Sequence, residues 1–286
     1  MQFITTQFEL LSKRIALSGC CSRRQADEFI RAGHVYVNSV LTTVNQPVPD
    51  FATVTLNRAN LISVIPAPGL PKLFILGKPR GATSSYHDSS TLPGLRTLIN
   101  SFTASNRSIY GDHWTSFVSE SLPEHFIPIN HVSVNDRGLV LSTTDGDFAN
   151  NLSNPHHGLL TGYRLKVSGT LASQALSGRL DLGKDVKVQI IKHSEEGCAW
   201  LKLERIERPK GPDLRDFLWN HLKVRVLKCN VESFGPYKIG DVQADQVLEV
   251  PVMREVKHLV PKREFVHVLV EEGTGKILSS RPAMNS

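Results

Sequence analysis

The sequence predicts an α+β chain of two domains, and three observations carry that expectation. Its 286 residues accommodate one small and one medium domain. A helix-start signal at Ser22-Arg23-Arg24-Gln25 runs into an amphipathic stretch and then into short apolar–polar alternations. Further on, residues 163–169, 186–191 and 198–206 alternate as strands do.

The elements follow in order. The Ser22 hydroxyl can accept from the amide three residues on, and Gln25 can reach back to the Ser22 amide, which makes a capping box. The helix that follows, to about Ala32, puts Ala26, Phe29 and Ile30 on one face, and Gly33 closes it. Val35, Val37, Val54 and Leu56 read as short strands, which bounds a first unit at residues 10–58. Pro66, Pro68, Gly69 and Pro71 mark residues 59–71 as a linker. A second unit over 72–251 opens with the strand and turn Leu73 to Gly81, and Asp147-Phe148-Ala149-Asn150 reads as helix. Residues 100–126 are polar and irregular. From 252 to 286, Lys257, His258, Lys262 and Arg263 alternate with apolar residues and read as a C-terminal extension able to dock on a partner.

Composition narrows the class. Apolar residues make up 40%, enough for a packed core, and the formal net charge is +6. A basic balance of this size fits nucleic acid or an anionic surface. Cys20, Cys21, Cys198 and Cys229 form no C-x-x-C pair, so neither a zinc site nor a disulfide framework is expected, and a reducing compartment is. No apolar run reaches the roughly 18 residues that span a bilayer, so no membrane partner is expected. The first ten residues lack a charged region followed by an apolar one, which argues against a secretory signal.

Arg23 and Arg24 stand in a first helical turn, where the macrodipole disfavours cations by about 0.3–1 kcal/mol each. A phosphate approaching that helix start would meet both free amides and two guanidinium forks. Placement against local stability points to an anionic ligand, with a merely solvated basic surface as the bland alternative.

The order of helix, capped Ser-Arg-Arg helix, Gly33 and Val35-x-Val37-Asn38 closely resembles the S4-type RNA-binding domain, with Lys13, Ala16, Ser22, Arg23, Arg24, Ala26 and Ile30 also matching. Residues 127–146 resemble the central motif of the S4-domain-bearing rRNA pseudouridine synthases: Pro128, Gly138, Leu139, Leu141, Thr143, Asp145 and Gly146 sit at the family's offsets. Gly77, Lys78, Pro79, Arg80 and Gly81 resemble its N-K-P-x-G strand and turn. The resemblance, over about residues 10–250, implies an S4-like αα-β module followed by a mixed, largely antiparallel sheet with flanking helices. It implies ribosomal RNA as partner, held through Lys13, Arg14, Ser22, Arg23, Arg24, Arg31, Lys78 and Arg80, with no cofactor and no metal.

At the family's catalytic positions the chain departs. The Gly-Arg-Leu-Asp of the motif is Asn130, His131, Val132 and Ser133, so Ser133 stands where the family has its aspartate and His131 where it has an arginine. Only a carboxylate is both a competent nucleophile toward the uridine and a good leaving group afterwards. A serine would need its own base and an orienting third group. The family's stacking tyrosine is matched by Tyr163, but its lysine partner is Thr161. In the third motif Arg215 is kept, while Asp213 and Asp216 stand at the Gln and a basic position. No catalytic residue is therefore expected. Gly178-Arg179-Leu180-Asp181 spells the family tetrapeptide, but no Gly-Leu strand follows it.

The leading expectation is an inactive homologue, a pseudoenzyme that binds structured rRNA as a ribosome assembly factor or ribosome-associated protein alongside ribosomal or assembly proteins. A mitochondrial setting is favoured by a bacterial-type scaffold with eroded motifs, with a bacterial-type cytoplasm as the alternative. A displaced aspartate, Asp136, Asp145 or Asp181, is the competing enzyme reading, with Asp136 disfavoured because a shift of that size re-aims the side chain. A third reading is a protein-docking subunit using residues 100–126 and the tail.

Overall fold

The computed structural model describes residues 1–58, 61–101, 122–169, 186–194, 197–208, 211–240, 247–271 and 277–282. The chain forms two compact units: Met1–Pro71 with Pro123–His125 and Val260–Ser286, and Lys72–Leu122 with Phe126–Leu259.

In the first unit β1 (Gln2–Leu10) runs directly into α1 (Leu11–Leu17), and α2 (Arg23–Arg31) follows a tight turn. The capping box forms as the sequence predicts: Gln25 N donates to Ser22 Oγ at 3.3 Å and Ser22 N to Gln25 Oε1 at 3.0 Å. Gly33 takes a φ of +74°, a conformation that side chains resist, and turns the chain into β2 (Val35–Val37). With β3 (Val40–Thr42), β5 (Val54–Arg58) and β6 (Leu61–Ile65), β2 builds an antiparallel sheet in the order β3-β2-β5-β6, and β4 (Pro47–Pro49) pairs with β1. Leu11, Ile15, Ala26, Ile30, Val35, Val54 and Leu56 are fully buried between helices and sheet. Each of the larger ones contributes roughly 1.5–3 kcal/mol by leaving water.

Two expectations are corrected in this unit. Residues 61–65, read as part of a linker from the prolines beyond them, form the edge strand β6 in register with β5. Arg14, expected at an RNA surface, is 3% exposed. Its guanidinium donates to Pro66 O at 3.3 Å, Pro49 O at 2.9 Å and Ala52 O at 2.8 Å. Buried carbonyls are costly to leave unpaired, and five fixed donors on one planar group reach three of them. Burial lowers the Arg14 pKa, opposed by nearby Asp50.

The second unit holds β7 (Leu73–Lys78), α3 (Leu95–Ser101), β8 (Ile127–Pro128), β9 (Arg137–Thr143), α4 (Gly146–Ser153), β10 (Leu160–Ser168), β11 (Val186–Ser194), β12 (Cys198–Ile206), α5 (Leu214–Leu222), β13 (Arg225–Phe234), β14 (Tyr237–Lys238) and β15 (Val247–Val250). The sheet order is β11-β12-β10-β13-β9-β7-β15, with β8 on β9 and β14 on β13. All pairs are antiparallel except β9 with β13, so the sheet is mixed and largely antiparallel, and the α+β class stands. Every residue of β7 is buried, as a central strand with both faces covered requires.

The parallel pair explains one motif glycine. Gly138 faces Val231 at φ +134°, and a Cβ there would lie 2.2 Å from the Val231 carbonyl oxygen. Lys78, also expected at the RNA surface, is 1% exposed and donates to the carbonyls of Pro79 (2.9 Å), Ala82 (2.7 Å) and Asp136 (3.0 Å). It ties the end of β7 to the loop before β9. Burial pulls its pKa down to about 8, against the opposing attraction of Asp136.

The tail divides. Arg254–Leu259 forms a 3-10 turn that buries Val256 and Leu259 in the second unit. In the first unit β16 (Phe265–Val270) pairs antiparallel with β1, and β17 (Ile277–Pro282) with β16, giving the order β17-β16-β1-β4. Residues 265–282, expected as an extension, are thus integral sheet, because β1 offers an edge and Val268 and Val270 alternate into the core.

Candidate functional site

The second unit contains a cavity of about 440 Å³, lined among others by His131, Ser133, Asp136, Tyr163, Arg205 and Arg215. One wall is the segment before β9. Ile129 N donates to Leu141 O, and the Asn130 side chain mimics a strand residue: Nδ2 donates to Leu139 O at 2.9 Å while Oδ1 accepts from Leu141 N at 2.8 Å. The chain then closes a turn, Asp136 N donating to Ser133 O at 3.0 Å. A four-residue turn of this kind brings its first and last Cα within about 7 Å. Asp136 is therefore next to Ser133 in space although three residues away in sequence.

Asp136 is 4% exposed and makes a two-pronged pair with Arg215: Nη2 to Oδ1 at 2.6 Å and Nη1 to Oδ2 at 3.0 Å. Arg215 sits in the first turn of α5, where the N-cap Asp213 accepts from its amide at 3.0 Å. The hydrogen-bonded carboxylate raises the Arg215 pKa. Burial, and then the Asp136 charge, push the neighbouring Cys229 thiol up, so it stays protonated.

Across the cavity the Tyr163 hydroxyl donates to Glu207. Arg205 grips the same carboxylate at 2.6 and 2.7 Å, reaches Pro212 O at 3.2 Å and lies 5.3 Å from the centre of the Phe217 ring. Burial, followed by the Glu207 charge, holds the Tyr163 phenol well above its ordinary pKa. The cavity thus presents two immobilised acid–arginine pairs and a neutral phenol.

The residues singled out in the sequence divide in space. His131, Ser133, Tyr163 and Arg215 do meet at the cavity. His131 Nδ1 is hydrogen-bonded to Ser84 Oγ at 2.9 Å, which also accepts from Val132 N. Asp145 is the N-cap of α4, accepting from Asp147 N and Phe148 N at 3.0 and 3.1 Å, so its carboxylate is committed to the helix. Asp181, and most of residues 100–126, lie outside the described residues. In the first unit Arg23, Arg24 and Arg31 are exposed, and Arg24 and Arg31, seven apart, share one face of α2. Ser22 is committed to the cap, Lys13 pairs with Glu9 at 2.8 Å, and Arg80 is exposed in the turn after β7. Arg205 and Glu207 were missed by sequence reading. The available signal was Arg205 continuing the buried alternation of Leu201 and Leu203. Among the described residues no group of three or more His, Cys, Asp or Glu side chains is placed to hold a metal ion.

The S4 domain matches residues 11–52. The ribosomal large subunit pseudouridine synthase B of Vibrio vulnificus is 24% identical over 273 residues, covering 90% of this chain and 78% of that protein. Its Bacillus subtilis counterpart is 30% identical over 162 residues, 56% of each chain. The chain carries an S4 domain and is homologous to these pseudouridine synthases. A solved pseudouridylate synthase overlays 88% of this chain and 99% of its own at a TM-score of 0.46 and 16% identity. Tyr163 and Arg215 line the cavity, and Arg215 is held by Asp136.

Proposed function

We propose that this chain binds structured ribosomal RNA without isomerising it, acting as a ribosome assembly factor or ribosome-associated protein, in a mitochondrial setting. The observation that carries the proposal is Ser133 at the family's aspartate position in the cavity, with Nδ1 of His131 bonded to Ser84. The homologues' names supply the substrate class: they act on large-subunit ribosomal RNA. The exposed arginines of α2 supply a phosphate-binding surface beside free helix amides. The organellar setting follows from a bacterial-type scaffold with eroded motifs.

A second reading has its own observation. The turn from Ser133 to Asp136 returns a carboxylate to the same wall of the cavity and gives it Arg215. Under this reading Asp136 is the displaced catalytic carboxylate and must leave its pair to attack a flipped uridine.

Chemical mapping of pseudouridine in rRNA fragments decides between them. The wild type, Asp136→Asn and a Ser133→Asp, His131→Arg double variant are compared. No product from the wild type is the expected result, and product from the double variant would add that the cleft still receives RNA. Wild-type product that Asp136→Asn abolishes overturns the inactive reading in favour of the second.

A further inference from the structure

The face of the large sheet turned away from the cavity carries charge that neither the fold nor the cleft uses. Successive strand residues point to opposite faces, so Arg164, Lys166, Trp200 and Lys202 lie opposite to the inward Tyr163, Leu165, Leu201 and Leu203. Register aligns them across four strands. Lys166 on β10 stands opposite Trp200 on β12 and Lys228 on β13, and Trp200 stands opposite Lys192 on β11. The row reads Lys192, Trp200, Lys166, Lys228, and at 4.7–4.9 Å per strand it spans about 14 Å. Lys192 and Lys228 are exposed, Lys166 and Trp200 half-buried.

In the adjacent row the cations are matched: Arg164 pairs with Glu232 at 2.6 Å and Lys202 with Glu204 at 3.3 Å. Among the described residues, Lys166, Lys192 and Lys228 have no acidic side chain in ion-pair range. Like charges directly opposite on a sheet are destabilising. Lysines do guard sheet edges, which accounts for Lys192 on the edge strand β11. That device has no purpose on β10 and β13, which are central strands. An indole set between unpaired lysines is the arrangement that binds unpaired nucleic acid: cations follow the backbone and a base stacks on the ring.

We infer that this outer face, centred on Trp200 with Lys166, Lys192 and Lys228, is a second RNA-binding surface for a single-stranded segment, on the side of the sheet opposite the cavity. The inference rests on the reading that the ligand is RNA, and adds where an unpaired stretch of it lies.

The test is fluorescence anisotropy of a fluorescein-labelled oligouridine across a salt series. The wild type is compared with a Lys166→Gln, Lys192→Gln, Lys228→Gln variant, Trp200→Leu, and Arg23→Glu, Arg24→Glu. The triple variant should flatten the log Kd versus log salt slope by about 2, at ~0.7 per lost phosphate contact on a single strand. Trp200→Leu should weaken binding roughly 5–150-fold with the slope unchanged, the fold-change equivalent of a lost stack. A 4-thiouridine oligonucleotide cross-linked to the wild-type protein should map to β10, β12 or β13, a readout that needs no variant to fold. Wild-type affinity and slope in the triple variant, with loss only in the α2 variant, overturn the inference and leave rRNA binding standing. No binding by the wild type to the oligouridine or to rRNA fragments removes both.

Discussion

The pair between Asp136 and Arg215 makes an asymmetric prediction. The carboxylate side chain is 6% exposed, whereas the arginine is 36% exposed. Replacing Arg215 by Met leaves a buried charge with no cationic partner. For fully buried pairs that change costs about 3–5 kcal/mol. Because one partner is partly solvated, water can enter as the guanidinium leaves, which reduces the expectation to about 2–3 kcal/mol. Replacing Asp136 by Asn leaves instead an arginine already in contact with water, with a cost of about 1 kcal/mol. The double change, Asp136→Asn with Arg215→Met, removes the stranded charge and should recover most of the Arg215→Met loss. In a unit of this size 1 kcal/mol moves the midpoint by about 2–4 °C, so Arg215→Met should melt roughly 4–12 °C below wild type. The measurement is thermal and urea unfolding of all four proteins at neutral pH, analysed as a double-mutant cycle. Equal losses in the two single variants, or simple additivity in the double, would refute the reasoning, because neither is compatible with a desolvated carboxylate held by a half-exposed partner.

Two further outcomes follow from packing and ionisation. Gly138→Ala should cost more than about 3 kcal/mol or prevent folding, since a strained φ adds to a Cβ set against the Val231 carbonyl; a stable, soluble alanine variant by circular dichroism would contradict the parallel register. Tyr163 contributes no pH dependence below its unfolded pKa, because both states are then protonated. Above about pH 10 the unfolded phenol ionises while the folded one keeps its proton, so stability falls with rising pH through the window up to the raised native pKa. Tyr163→Phe should abolish that part of the alkaline loss, and an unchanged pH–stability curve would show that the phenol is not held neutral.

What the sequence determined by itself is whatever local rules decide. The capping box at Ser22, the Gly33 turn and the alternation in β10, β11 and β12 are written in neighbouring residues, and all appear in the structure at nearly the expected bounds. Tertiary structure decided which charges are on the surface. Arg14 and Lys78 match an RNA-binding pattern, yet each is consumed by three backbone carbonyls drawn from two segments distant in sequence. It also decided that residues 265–282 close a sheet with β1, a pairing across some 260 residues that no local pattern encodes. Asp136 shows the physical reason most directly. A strand-like spacing re-aims a side chain within three residues, whereas a closed turn returns it to the same wall, and only the folded backbone selects between the two.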